Sequence, residues 1–298
     1  MSKINLHTHS NHSLDGILDI NEIVNQCLAN GISYLSITDH DNCDTYSDID
    51  LNKISENGTL VYGMEADAII NNVTYDILCY GFELEKVSSW AKEQYGTIAT
   101  RQMKIYNKLV EICKELNLVL DETIPYDPDK EFAHAAIFRM LSTTEENQRF
   151  LSKYNLSNVS DFYRLSTMDN SFPLYVDMNI VWPTIDVLGK IIHDNGGKLF
   201  LAHPYKYAKG INVDEILDSC SPYIDGIEIS NEPESEDEVK YLYEYATQKG
   251  LLISAGSDFH GSENHSNLNV NYLTEGMENE IESWINEVPG KVRVLKKN

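Results

Sequence analysis

The chain has 298 residues, with 23 Lys and Arg against 47 Asp and Glu, a formal net charge of −24 at pH 7. At roughly 150 residues per domain this is one large domain, or one domain with an insert, and 42% hydrophobic residues supply a core that excludes a disordered chain. No run reaches the ~18 apolar residues of a membrane span, the start (MSKINLHTHS) has no apolar signal-peptide core, and so acidic a chain is repelled by nucleic-acid duplexes and anionic membranes.

The first ninety residues alternate strand and helix signals. Lys3 to Leu6 reads as a short strand running into His7. Asp19 begins a helix, with Glu22 completing a capping box, an apolar stripe of Ile20, Ile23, Val24, Cys27 and Leu28, and Gly31 as its stop. Ser33 to Thr38, Thr59 to Tyr62 and Val73 to Tyr80 read as strands, and this alternation predicts a parallel sheet wrapped by helices. From about Val87 to Leu118 apolar residues recur at helical spacing (Ile105, Leu109, Ile112, Leu116). An acidic loop (Ile124 to Lys130) and helical segments around Phe132 to Leu141 and Val159 to Leu165 follow. Residues 91–179 are therefore expected to form a mainly helical insert, a substrate cap, within a domain made of residues 1–90 and 180–298. The alternation resumes with a helix over Thr184 to Asp194, strands over Lys198 to Ala202 and Asp225 to Ile229, a helix capped by Ser235 and Glu238 and ended by Gly250, and a strand over Leu251 to Ala255. The terminal VRVLKKN reads as a solvated basic tail.

Five scattered cysteines (Cys27, Cys43, Cys79, Cys113, Cys220) with no CxxC pair read as reduced thiols of a cytoplasmic protein. The polar residues carry more. His7 and His9, Asp39 and His40, Glu65, His203, Glu228, and Asp258 with His260 each fall at a predicted strand end. In a closed parallel sheet those ends share one face, where active sites are assembled. Histidines and carboxylates converging there are metal ligands by default, since the carboxylates alone repel one another. The spacing in His7-Thr8-His9 puts two imidazoles on one side of a strand.

LHTHS, SLDG, ITDHDN, GMEADA, LAHPYKY, GIEIS and SAGSDFHG occur in that order, and with them the sequence resembles the PHP (polymerase and histidinol phosphatase) superfamily. TRQMKIYNKLVEICKELNL, FAHAAIFRML and SFPLYVDM are similar to segments of its stand-alone nucleotide phosphoesterase branch. The resemblance implies an α/β fold, a distorted (β/α)7 barrel with a helical insert, and hydrolysis of phosphate esters with two to three divalent metal ions (manganese, iron or zinc). It implies that His7, His9, Glu65 and Asp258 bind one metal, that Glu65 bridges to a second held also by His203, and that Asp15, His40 and His260 bind a third. Asp76 stands where the branch carries a histidine and is expected to replace it as a ligand. The spacing from His7 to Asp15 is one residue longer than the common form. The branch's arginine beside the insert histidine is missing around His134, so Arg139 or Arg101 is expected to take over phosphate binding.

The implied reaction is attack on phosphorus by a hydroxide formed between metals, which lower the pKa of bound water towards ~7. His134, Asp258 and His203 are the expected catalytic residues, with His134 touching phosphate or protonating the leaving group. Arg101, Lys104, His134, Arg139 and Lys206 are the expected substrate contacts, and Tyr205 and Tyr207 frame the mouth. Asp39 and Glu228 are expected behind the ligands, His12 and His265 in loops, and His193 on a helix surface. The expected substrate is a small phosphorylated molecule, a nucleotide such as a 3′,5′-bisphosphate. Alternatives are histidinol phosphate, a cyclic ribose phosphate, amide hydrolysis as in the amidohydrolases, or an inactive PHP module that only binds. The chain lacks an obvious strand-end lysine for the amidohydrolase carbamate, and Asp76 is the one altered ligand an inactive module would display.

Overall fold

The computed structural model describes residues 2–208, 212–231, 235–263 and 265–295. The chain divides into two compact units, one made of Met1–Ala68, Tyr75–Ala91 and Ile185–Asn298, the other of Ile69–Thr74 and Lys92–Thr184.

The first unit is an α/β barrel. Its strands are β1 (Ile4–Asn5), β2 (Tyr34–Ile37), β3 (Gly58–Ile70), β4 (Val73–Tyr80), β5 (Lys198–Leu201), β6 (Gly226–Ser230), β7 (Leu252–Ala255) and β8 (Lys291–Val294). They line up as β1-β2-β3-β4-β5-β6-β7, with β8 paired to β3. Leu6 N donates to Ala255 O (2.9 Å), Asp258 N to His7 O (2.9 Å), and Thr8 bridges Phe259 in parallel, so the ends of the row meet and the sheet nearly closes into a distorted seven-stranded barrel, as expected. β1-β2-β3 and β5-β6-β7 are parallel. The sheet is not parallel throughout, because β4 runs antiparallel to β5. Asn71 and Asn72, with φ of 51° and 66°, make the two-residue turn that returns the chain from β3 into β4, the left-handed pair a tight hairpin requires. The terminal VRV is not a solvated tail either, since β8 pairs antiparallel with β3 from Lys291 to Val294; the last three residues of the tail lie outside those described.

Local chemistry explains the helices. α1 (Ile20–Ala29) starts on Asp19, whose carboxylate accepts from Asn21 N (2.8 Å) and Glu22 N (3.2 Å) while Glu22 reaches back to Asp19 N. Its apolar stripe is buried on the sheet. α2 (Leu84–Tyr95) ends at Gly96 (φ 64°), and Thr97 caps α3 (Ile98–Glu115). In the second unit α3 packs against α4 (Ala133–Ser142), which in turn packs against a later helix; α5 (Gln148–Lys153) and α6 (Val159–Met168) complete the set, and it is α6 that α4 meets. Around the barrel run α7 (Ile185–Asp194), the short α8 (Pro204–Tyr207), α9 (Val213–Cys220), α10 (Glu236–Lys249) and α11 (Glu275–Glu287). α10 opens with the Ser235–Glu238 capping box and closes on Gly250 at φ 69°. The rings of Tyr80, Phe200 and Trp284 lie with centroids 5.0–5.7 Å apart in tilted and edge-to-face contacts, and each fully buried aromatic side chain of this kind contributes about 1.5–3 kcal/mol. All five cysteines are buried, and none is in a disulfide. Among the described residues no helix is long and apolar enough to cross a membrane.

Candidate metal centre

The chain delivers the polar residues to one place by leaving its strands early. His7 and His9 follow β1, Asp39 and His40 follow β2, His203 follows β5, and Asp258 and His260 follow β7. Glu65 and Glu228 depart from the expectation: both lie inside strands, β3 and β6. β3 runs on past the end of β2, and His40 bridges Glu65 there, so a mid-strand carboxylate still reaches the face where its neighbour ends. Gly256 permits the closing contact, because a Cβ at that position would lie 2.1 Å from the Cβ of His7. His203 (φ 29°) and Asp258 (φ 54°) hold left-handed backbone conformations that cost non-glycine residues about 1–3 kcal/mol each, strain that concentrates at functional sites.

The side chains then form a continuous array, buried at its centre and part-exposed at Asp15, His40 and Asp76. His7 Nε2, His9 Nε2, Glu65 Oε2 and Asp258 Oδ1 approach one another: His7 to His9 3.1 Å, His7 to Glu65 3.1 Å, His9 to Glu65 3.0 Å, His7 to Asp258 3.2 Å and His9 to Asp258 3.3 Å. Donors arranged tetrahedrally about a cation with bonds of 2.0–2.1 Å stand about 3.3 Å apart, so the four atoms fit one divalent ion. The other oxygen of Glu65, Oε1, lies 3.1 Å from His203 Nε2, which is 3.5 Å from Asp76 Oδ2. One carboxylate thus faces two neighbouring donor groups, as a bridge between two cations requires. On the other flank His260 Nδ1 is 3.4 Å from Asp15 Oδ1, and His40 stands between Asp15 (3.7 Å) and Glu65 (3.5 Å). His9, Asp15 and His260 form a further donor group, as do Asp258, His260 and His265.

Charge argues the same way. Burial alone raises the Glu65 carboxyl, but His7, His40 and the His203 hydrogen bond hold it well below the usual carboxylate range. Burial likewise works against Asp258, which His7, His260, His9 and Lys206 keep low. Burial opposes charge on His7, yet Glu65, Glu228 and Asp258 push it well above an ordinary imidazole. So many buried carboxylates demand positive charge, and divalent cations supply it in compact form. The Nδ1 atom of His7 lies 3.0 Å from Glu228 Oε1, and Glu228 Oε2 accepts from His203 N (2.8 Å). A proton held on Nδ1 leaves the Nε2 lone pair facing the array. Ser13 plays this part for His9, 3.2 Å from its Nδ1, while its own hydroxyl donates a hydrogen bond to Asp39 (3.0 Å). The array opens on a cavity of about 410 Å³ whose wall includes Asp15, His40, Asp76, Lys206 and His265.

Asp76 is oriented by Tyr207, whose hydroxyl donates to its Oδ2 (2.8 Å) and accepts from its backbone N (2.8 Å). Tyr207 is therefore tied to Asp76 through both functions of its hydroxyl. Lys206 pairs with Asp258 Oδ2. The expected substrate contacts of the insert lie in the second unit. Arg101 is buried, with Nη1 donating to Tyr95 O and Gly96 O (both 3.3 Å), so it closes the end of α2. Arg139 forks onto Glu131 (3.1 and 2.6 Å) and reaches Pro125 O, pinning the acidic loop. Lys104 is exposed on α3. His134 is buried beside Tyr163 and Phe162, its Nε2 without a hydrogen-bond partner among the described residues, and burial pushes it down to about 3. That environment suits a neutral hydrogen-bonding group and not a charged proton donor.

Ser13, Asn231 and His265 were not singled out for the site by sequence. Asn231 donates to Glu228 (3.3 Å), and only its position after GIEIS marks it. His265 sits five residues beyond His260, and a tight loop in which His260 N and Gly261 N both donate to His265 O brings it back beside His260.

Among curated proteins, the chain is 25% identical over 273 residues to a 5′-3′ exoribonuclease of Haemophilus influenzae, covering 87% of this chain and 90% of that protein. It is 24% identical over 264 residues to a 3′,5′-nucleoside bisphosphate phosphatase of Chromobacterium violaceum, covering 87% and 88%. Two solved structures share the fold: an amidohydrolase from Chromobacterium violaceum with bound sulfate (TM-score 0.62, 20% identity, 95% and 97% covered) and a protein of Bifidobacterium adolescentis proposed to be a metal-dependent phosphoesterase (0.60, 18%, 94% and 95%). The PHP domain model matches residues 5–180, more than half of the chain, and this establishes that the chain belongs to the PHP domain family.

Proposed function

We propose that this protein is a cytoplasmic phosphomonoesterase that removes phosphate from small nucleotides such as 3′,5′-bisphosphates, using two to three divalent ions of manganese, iron or zinc. The observation that carries it is Glu65, one buried carboxylate with each oxygen turned to a different donor group. The ligands we assign are His7, His9, Glu65 and Asp258 for one ion, Glu65, Asp76 and His203 for a second, and Asp15, His40 and His260 for a third. When bound, such ions polarise a phosphoryl oxygen and supply a nucleophile at neutral pH. The chain's own groups do the rest. Glu228 and Ser13 fix the tautomers of His7 and His9; Tyr207 aims Asp76. Lys206 offers an ammonium to a phosphate oxygen at the cavity wall while holding Asp258 in place. A cavity of about 410 Å³ suits a mononucleotide, and the net charge of −24 disfavours long polyanions. Five cysteines with no disulfide among them suit a reducing compartment.

The bisphosphatase among the relatives favours this substrate, and the exoribonuclease favours a second reading, 5′-end trimming of short oligonucleotides. Phosphate release is to be measured from a 3′,5′-bisphosphate, AMP, histidinol phosphate, a cyclic ribose phosphate and a 5′-phosphorylated trinucleotide. The account expects the bisphosphate to give the highest kcat/KM and an Asp258→Asn/His203→Ala variant to be silent. A preference for the trinucleotide favours the second reading, and equal turnover by the double variant refutes both.

A further inference from the structure

We infer that His265 is an additional metal-coordinating residue of this centre, contributed by the loop after β7 and acting together with Asp258 and His260. The inference rests on the metal-centre reading above and extends its ligand set.

Three observations on different atoms lead there. Asp258, His260 and His265 each offer a donor atom, and these lie within 4.8 Å of one another, the spacing of groups that can share an ion. The Nδ1 of His265 is shielded from solvent and has no hydrogen-bond partner among the described residues. A buried polar atom left in that condition is destabilising, so the fold gains when something accepts or supplies that bond. His265 also lines the same cavity as Asp15, His40 and Lys206, and its ring stands 5.1 Å from that of His260.

The loop that makes this approach is short and closed by backbone bonds. His265 N donates to Ser262 O (3.1 Å), and His265 O accepts from His260 N (3.0 Å) and Gly261 N (3.1 Å). The carbonyl and amide are thereby consumed in shaping the turn, and the imidazole is the part left to act. Gly261, at φ 73°, supplies the left-handed step that the turn needs. Two imidazoles and a carboxylate form a donor set that suits zinc or iron better than magnesium or calcium. Asp258 would then serve two groups, its Oδ1 facing both the His7–His9 pair and His260 (3.1 Å).

The test reads metal, not turnover. The full-length protein is stripped with a chelator, reloaded with Co(II), and assayed for Co equivalents after gel filtration and for the Co(II) visible spectrum. Wild type is compared with His265→Ala, His265→Gln, His265→Asp and the surface control His193→Ala, each checked by circular dichroism and thermal melting. His265→Ala and His265→Gln are expected to lose one Co equivalent or weaken one class of site at least about tenfold, with a changed visible band. His265→Asp, which restores an oxygen donor, is expected to recover occupancy, and His193→Ala to match wild type. Full occupancy with affinity within twofold and an unaltered spectrum in both His265→Ala and His265→Gln overturns the inference alone. Wild-type protein that takes up no metal overturns the metal-centre reading, and this inference with it. Should His265→Ala not fold, His265→Gln gives the same readouts in a side chain of similar size.

Discussion

Glu228 offers a sensitive test of how the centre is held, because it is fully buried and its two oxygens serve His7, His203 and Asn231 at once. Its Oε1 faces His7 Nδ1 at 3.0 Å, and its Oε2 accepts from His203 N at 2.8 Å and from Asn231 Nδ2 at 3.3 Å. Glu228→Gln keeps the shape but replaces one acceptor by an NH₂ group. If the amide faces His203 N and Asn231 Nδ2, donors meet and at least one buried N–H goes unsatisfied, at about 1–3 kcal/mol. If it faces His7 Nδ1, the imidazole must move its proton to Nε2 and loses the lone pair aimed at His9, Glu65 and Asp258. Either way the centre is weakened: outer partners of this kind are worth about 10–100-fold in metal affinity or activity, or roughly 1.4–2.7 kcal/mol. Chelator competition on stripped and reloaded protein measures the affinity, and thermal melting of the stripped form measures the stability. Metal affinity and melting temperature both unchanged, the former within twofold, would refute the orienting role of Glu228.

Tyr207→Phe removes the hydroxyl that both donates to Asp76 and accepts from its backbone, and is expected to lower stability by about 1–3 kcal/mol in urea melts; Asp76→Ala should then cost Tyr207→Phe protein little more, since the two share one interaction. Gly256→Ala is expected to destabilise by at least about 3 kcal/mol, because the new Cβ would meet His7 backbone and Cβ at 2.1–2.8 Å, and a variant that melts like wild type would contradict the close approach of β7 to β1. His134, held neutral with its pKa at about 3 against about 6.5 when unfolded, binds its proton only in the unfolded chain between those values. Stability therefore falls as pH drops through that window, and His134→Leu should lose on the order of 2 kcal/mol less than wild type between pH 7 and pH 5.

Local rules carried much of the fold. The capping boxes at Asp19–Glu22 and Ser235–Glu238 and the left-handed stop at Gly250 are short-range interactions, readable from a few residues, and they stand where the sequence puts them. The antiparallel return of β4 was not legible, although Asn71-Asn72 is a hairpin signal, because strand–helix alternation on both sides suggested parallel pairing. β8 was missed because its polar side chains hide a strand whose partner lies more than two hundred residues earlier. In the site, histidines after strands announced themselves. Glu65 and Glu228 reach the same face from inside strands, which depends on relative strand length and is invisible to a single segment. Arg101 and Arg139 illustrate the converse, basic residues whose charge is absorbed by nearby carbonyls and a carboxylate. His265 looks like any loop histidine until the turn from Gly261 brings it back.

The central claim is that the array of His7, His9, Glu65 and Asp258 with its flanking groups is a metal centre that hydrolyses phosphate esters. The most direct measurement strips the protein with a chelator and follows phosphate release from a 3′,5′-bisphosphate as Mn(II) is titrated back. The account predicts no release without metal, activity that rises in step with bound equivalents and saturates at two or three, and none at any loading when Asp258 is Asn and His203 is Ala. Release that persists in the stripped protein, or that the double variant retains, would contradict it.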